Sequence, residues 1–111
     1  MLKPTYRRTP MNKQFIEFLD DLAERSQNRV YKWKTSFDRV TLNDDFDLTI
    51  DKLFNENIGE YGDYVYYITY DDNSSKFHIP IYPSQEGYSV VSRLFDAASL
   101  SSWTSPKLRD H

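Results

Sequence analysis

The chain has 111 residues, 39% of them hydrophobic and 16% aromatic, with a formal net charge of −3 and no cysteine. That length makes one domain, residues 1–111, able to bury roughly two thirds of its unfolded surface in a single core. The missing cysteines exclude disulfide scaffolds, thiolate zinc sites and cysteine nucleophiles, and fit a reducing, cytoplasmic setting.

The opening run MLKPTYRRTP is basic but has no apolar centre, so it does not read as a secretory leader. No stretch of the chain approaches the roughly 20 apolar residues of a membrane span. Residues 1–9 are expected to be a flexible tail. The first element is TPMNKQFIEFLDDLAERSQN. Thr9 is placed to cap a helix and Pro10 to occupy its first turn, where a missing N–H costs nothing. Phe15, Leu19 and Leu22 recur at helical spacing, with Ile16, Phe18 and Ala23 widening the stripe, and Asn28 is a stop. The spacing predicts a helix over 10–27.

VYKWKTSFDRVTL follows. Tyr31, Trp33 and Phe37 share one parity and Lys32 and Lys34 the other, the alternation of a half-buried strand. Val40 and Leu42 fall out of phase, which predicts a bulge or short break between about Phe37 and Val40. In NDDFDLTIDKLF, Phe46, Leu48 and Ile50 form one face and Asp45, Asp47, Thr49 and Asp51 the other. NENIGEYG then reads as an irregular connection. In GDYVYYITYDD, Tyr64, Tyr66, Ile68 and Tyr70 share a face, and DDNSS is turn chemistry leading into KFHIPIY, expected to be an edge strand or to be unpaired on the Pro80 side, because Pro80 cannot donate a ladder bond. SQEGYSVVSRLFDAASLSSW carries an apolar stripe of Val91, Leu94, Phe95 and Ala98, supported by Tyr88 and Val90. Ser84 or Ser89 is a candidate cap, SSWTSP is the expected end, and residues 104–111 the expected tail. The order α-β-β-β-β-α, with short turns, predicts an α+β fold: an antiparallel meander of three to four strands flanked by an N-terminal and a C-terminal amphipathic helix.

Charge is distributed unevenly. Residues 1–42 hold nine Lys/Arg against five Asp/Glu, whereas residues 43–72 hold nine acids against Lys52 alone. An acidic strand face beside exposed tyrosines suits contact with another protein, a basic surface above all. The residues expected there are Asp45, Asp47, Asp51, Glu60, Tyr61, Asp63 and Tyr67, with Tyr82 a further exposed ring. The alternative is a nucleic-acid-binding module using Arg7, Arg8, Lys32, Trp33 and Lys34, in which a ring sits between bases that track phosphates. A self-associating structural protein is a third reading, since an edge strand with exposed tyrosines can pair with its copy as a homodimer.

Chemistry finds little purchase. The only histidines are His78 and His111, and Ser99, Ser101 and Ser102 lack a nucleophile-elbow context. Gly59, Gly62 and Gly87 make no phosphate loop, and DDFDLTID lacks the glycine turn and terminal glutamate of a calcium loop. No catalytic residue, metal site or cofactor is expected.

The combination of an opening amphipathic helix, the tryptophan-bearing VYKWK, the hairpin YITYDDNSSKFHI and the closing helix VVSRLFDAAS resembles small, uncharacterised bacterial and prophage proteins. The helix–sheet–helix plan is also similar to that of some acidic phage anti-CRISPR proteins. That resemblance implies a bacterial or phage inhibitor that occupies a basic, DNA-binding groove.

Overall fold

Asn12 opens the first helix. In this computed structural model, which describes residues 12–28 and 30–107 and side chains as far as residue 100, helix α1 spans Lys13–Gln27. The Asn12 side-chain oxygen accepts the Phe15 N–H at 2.8 Å, satisfying one of the amides that a helix start leaves without a partner. Thr9 and Pro10, expected to begin this helix, lie outside the described residues, as do Arg7 and Arg8. The stop at Asn28 is as expected, its N–H reaching the Glu24 and Arg25 carbonyls at 3.2 Å. Leu19, Leu22 and Ala23 are buried, and Phe15 and Phe18 pack at the margin of the same core.

The sheet is an antiparallel meander of five strands in the order β1-β2-β3-β4-β5: β1 Lys34–Ser36, β2 Arg39–Asn43, β3 Asp47–Asn55, β4 Asp63–Asp71 and β5 Lys76–Ile81. The extra strand comes from the phase break seen in the sequence. A two-residue turn at Phe37 and Asp38, rather than a bulge, folds β1 back on β2 with Thr35 opposite Val40. Phe37 therefore does not share an inward face with Trp33. Its ring sits on the turn and is 101% exposed, whereas Val40 and Leu42 are buried. Trp33 precedes β1 and points into the core, its indole N–H donating to the buried Ser26 hydroxyl at 2.9 Å.

Register sorts the remaining side chains. Leu48 stands opposite Tyr70, Ile50 opposite Ile68 and Lys52 opposite Tyr66. Phe77, Ile79 and Ile81 continue these rows on β5. This face meets the helices. The other carries Thr41, Thr49, Thr69 and His78 in one row across four strands. Two-sided strands of this kind alternate between core and water. The turn into β5 is built as its composition suggests: the Asp72 carboxylate accepts the N–H groups of Ser74 and Ser75 at 2.9 and 2.7 Å. Asn73 supplies the left-handed residue at φ 79°.

Helix α2 spans Tyr88–Lys107. Its first described helical bond runs from Val91 N–H to the Gly87 carbonyl. Ser84 precedes the start by four residues and Ser89 lies inside, so neither stands at the cap position. The helix also runs through SSWTSP, the expected end, to Lys107. Residues 104–107 are thus helical rather than tail. The two helices pack on each other, and Arg93 ties them together by reaching the Asp20 carboxylate at 2.8 Å. Val91, Leu94 and Ala98 of α2 join Leu19, Leu22, Leu48, Ile50 and Ile68 in one core. Under the first turns of α1, Phe15, Phe18, Phe46, Tyr70 and Phe77 form a ring cluster of edge-to-face, stacked and tilted pairs with centroids 5.1–6.0 Å apart.

Candidate protein-binding surface

The acids expected to form one face separate into two groups and a bridge. Asp45 lies in the bend before β3 and Asp47 begins the strand, beside Asp71 in register. Glu60 and Tyr61 sit in the connection after β3, and Asp63 begins β4 opposite Asn55. From Asp47 to Asn55 is eight steps along a strand, roughly 26 Å at about 3.3 Å per residue. A single contact cannot centre on both groups. Asp51 lies between them and is engaged: Arg39 donates to its two carboxylate oxygens at 2.6 and 3.3 Å. The hydrogen bond to Asp51, and after it the carboxylate's charge, raise the Arg39 pKa. Asp47 likewise accepts from the Asn43 side chain at 2.7 Å. Sequence alternation placed these carboxylates on the open face correctly, but cross-strand partners take up two of them.

Tyr67 stands opposite Asp51 on the open face. Its ring stacks on His78 with centroids 6.2 Å apart and planes 19° apart. His78 is in turn held by a 2.7 Å hydrogen bond between its Nδ1 and the Thr69 hydroxyl. The His78 side of the ring pair is thereby held in place.

The end of the β3–β4 hairpin is where apolar surface is left open. Tyr88, at the start of α2, donates its hydroxyl to the Tyr64 carbonyl at 2.9 Å and packs on the Tyr66 ring. Past that point neither helix covers the sheet. Phe54 and Tyr64 meet edge to face at 5.3 Å, yet Phe54 remains 55% and Tyr64 43% exposed. Tyr61 in the connection is 85% exposed, and Leu53 on the opposite face 44%. Val65, opposite Leu53 and on the same face as Tyr67, is nonetheless fully buried. Glu56, Glu60 and Asp63 surround these groups in sequence. The base nearest in sequence, Lys52, does not neutralise them. Its ammonium lies over the rings of Tyr64, Tyr66 and Phe95 at 4.9, 5.9 and 5.7 Å, on the helix-facing side.

The connection itself has a defined shape. Gly59 and Gly62 take φ of 66° and 87°, and the Asn55 side chain accepts the Asn57 N–H at 2.8 Å. Alternation predicts inward Tyr64 and Phe54. Their exposure follows from the helix layer ending short of the hairpin, which no local pattern encodes.

Of the alternative basic set, Lys32 and Lys34 are exposed, but Trp33 is only 2% exposed and offers no ring face for stacking. Tyr82 is exposed near the edge strand. Among the described residues, no three His, Asp or Glu side chains are placed to hold a metal ion, and no helix is long and apolar enough to cross a membrane. Comparison with protein-family models, with curated proteins and with solved structures finds no match to this chain.

Proposed function

We propose that the protein is a non-enzymatic protein-binding module whose contact surface is the projecting end of the β3–β4 hairpin. Phe54, Tyr61 and Tyr64 supply the apolar contact, and Glu56, Glu60 and Asp63 form a rim that selects a basic partner. The observation that carries this reading is the exposure of three aromatic side chains, Phe54, Tyr61 and Tyr64, at one end of the hairpin. Large rings at low entropic cost are what contact centres use, with charges at the margin setting encounter rate and specificity. Self-association through this end is disfavoured, because it would bring two acidic rims together. An inhibitor of bacterial or phage origin that occupies a basic groove is one form such a module takes.

A photoreactive phenylalanine analogue placed at Tyr61 tests the surface in cells of the organism that carries the gene. The expected result is an adduct with one defined protein from Tyr61 and none from Glu24, an exposed control on α1. Equal labelling from both positions, or none from either, overturns the assignment.

A further inference from the structure

We propose that the pocket beside Tyr67 receives an arginine side chain of the partner, an inference that rests on the protein-binding reading above and specifies its chemistry. The pocket lies at the outer end of β3, holds about 370 Å³, and is lined by Leu53, Phe54, Asn55, Glu56 and Tyr67. These residues offer three different contacts. Leu53 provides an apolar wall for a side-chain stem. Tyr67 provides a ring whose orientation His78 already fixes by stacking. Glu56 provides a carboxylate that has no ion-pair partner among the described residues.

Asn55 narrows the choice. Its side-chain oxygen already accepts the Asn57 N–H, and the one ionised side chain among the lining residues is Glu56. A guest must therefore combine an apolar stem, a positive charge and donors that reach a carboxylate while lying on a ring. Arginine does all of this: its planar guanidinium stacks on aromatic faces and meets carboxylates with paired N–H donors. Lysine brings a compact, strongly hydrated charge without the planar face. Two described cations of the sheet are engaged elsewhere. Lys52 is held over rings on the opposite side of the sheet, and Arg39 is committed to Asp51. Glu60 and Asp63, at the same end of the hairpin, extend the attractive field for a positively charged guest.

The test titrates the full chain with a short peptide of alternating glycine and arginine, and with a lysine peptide of equal length and charge, by calorimetry at low and physiological salt. The arginine peptide is expected to bind about tenfold tighter than the lysine peptide. Glu56→Gln and Tyr67→Leu should each weaken it about fivefold or more, with thermal unfolding retained as a check on folding. Asp45→Asn, at the far end of the sheet, should leave binding unchanged. Equal affinity for both peptides, no binding of either, or equal losses from Asp45→Asn and Glu56→Gln overturns the arginine pocket. Photo-adduct formation from Tyr61 in the Glu56→Gln background separates this from the broader reading. An adduct that persists while the peptides fail to discriminate removes the arginine assignment and leaves the hairpin end as a binding surface.

Discussion

Replacing Gly62 with alanine tests whether the hairpin end is a built structure. Gly62 sits at φ 87°, a backbone region in which a Cβ costs about 1–2 kcal/mol. A second cost is particular to this position. An added Cβ would lie 2.4 Å from Phe54 Cζ, 2.9 Å from Cε2 and 3.0 Å from the Glu56 Cα. The Phe54 ring is half exposed and can swing aside, but the Glu56 backbone cannot move as easily. Overpacking of this kind costs roughly 1–3 kcal/mol in general, so Gly62→Ala should destabilise the protein by about 2–5 kcal/mol. Gly59→Ala is the internal control: it has the same sign of φ, at 66°, with nothing within 4 Å of its Cβ. It should cost about 1 kcal/mol, the backbone part alone. In a Phe54→Ala background, Gly62→Ala should lose the portion of its cost that comes from the ring, leaving the backbone and Glu56 contributions. Urea denaturation followed by far-ultraviolet circular dichroism measures all four variants. If Gly59→Ala and Gly62→Ala agree within about 0.5 kcal/mol, a difference such measurements resolve, the Phe54 ring does not rest on Gly62 and the shape assigned to this end is wrong.

Three further outcomes follow from the fold. Ser26→Ala strands the buried Trp33 N–H, a loss of about 1–3 kcal/mol that better helix propensity offsets only slightly; the melting temperature should fall by at least about 4 °C, and the change should nearly vanish in a Trp33→Phe background. The Tyr70 hydroxyl is pushed up to about 12, first by burial and then by its hydrogen bond to Asp72. The folded state therefore favours the neutral phenol, and the contribution is complete below the ordinary value of 10.0 and lost as pH rises toward about 12. Thermal melts across that interval should fall in the wild type and flatten in Tyr70→Phe. At the left-handed Asn73, alanine should cost about 1 kcal/mol and glycine nothing measurable, as read from denaturation midpoints.

Much of the architecture could be read from periodicity because burial and alternation express the same physics. Leu48 and Ile50 are buried, and Asp47 and Asp51 face away from the helices, because a strand in a one-sided sheet has no other arrangement. Phe37 was misplaced for a related reason. Its parity matches Trp33, but a two-residue turn reverses the chain there, and parity carries across a strand and not across a hairpin. The start of α1 was obscured by competing signals, since Thr9-Pro10 and Asn12 are both sound helix openings, and the Asn12 bond to Phe15 identifies the start the described residues adopt. The strand count changed with the Phe37 turn, while the α+β class and the flanking helices did not.

The candidate surface was harder to read because it depends on where layers end. A run of nine acids suggests one field, yet a nine-residue strand places successive carboxylates at opposite ends of a sheet, and cross-strand partners such as Arg39 remove others. Charge counted along the chain therefore overstates the charge that a partner meets. Aromatic residues behave in the opposite way. Tyr64 and Phe54 have core parity and would be assigned to the interior in any strand covered along its whole length, but the hairpin outruns its helices and turns two core-type rings into surface. Apolar exposure of this origin keeps its shape without a partner, because Phe54 and Tyr64 stand opposite each other in register and their rings pack edge to face. It can therefore be pre-organised, and a pre-organised surface loses less entropy on association than one that must fold around its target. On the proposed reading, that advantage favours the hairpin end, where exposed rings and carboxylates without an ion-pair partner among the described residues coincide, over the middle of the acidic strand, where Arg39 already pairs with Asp51.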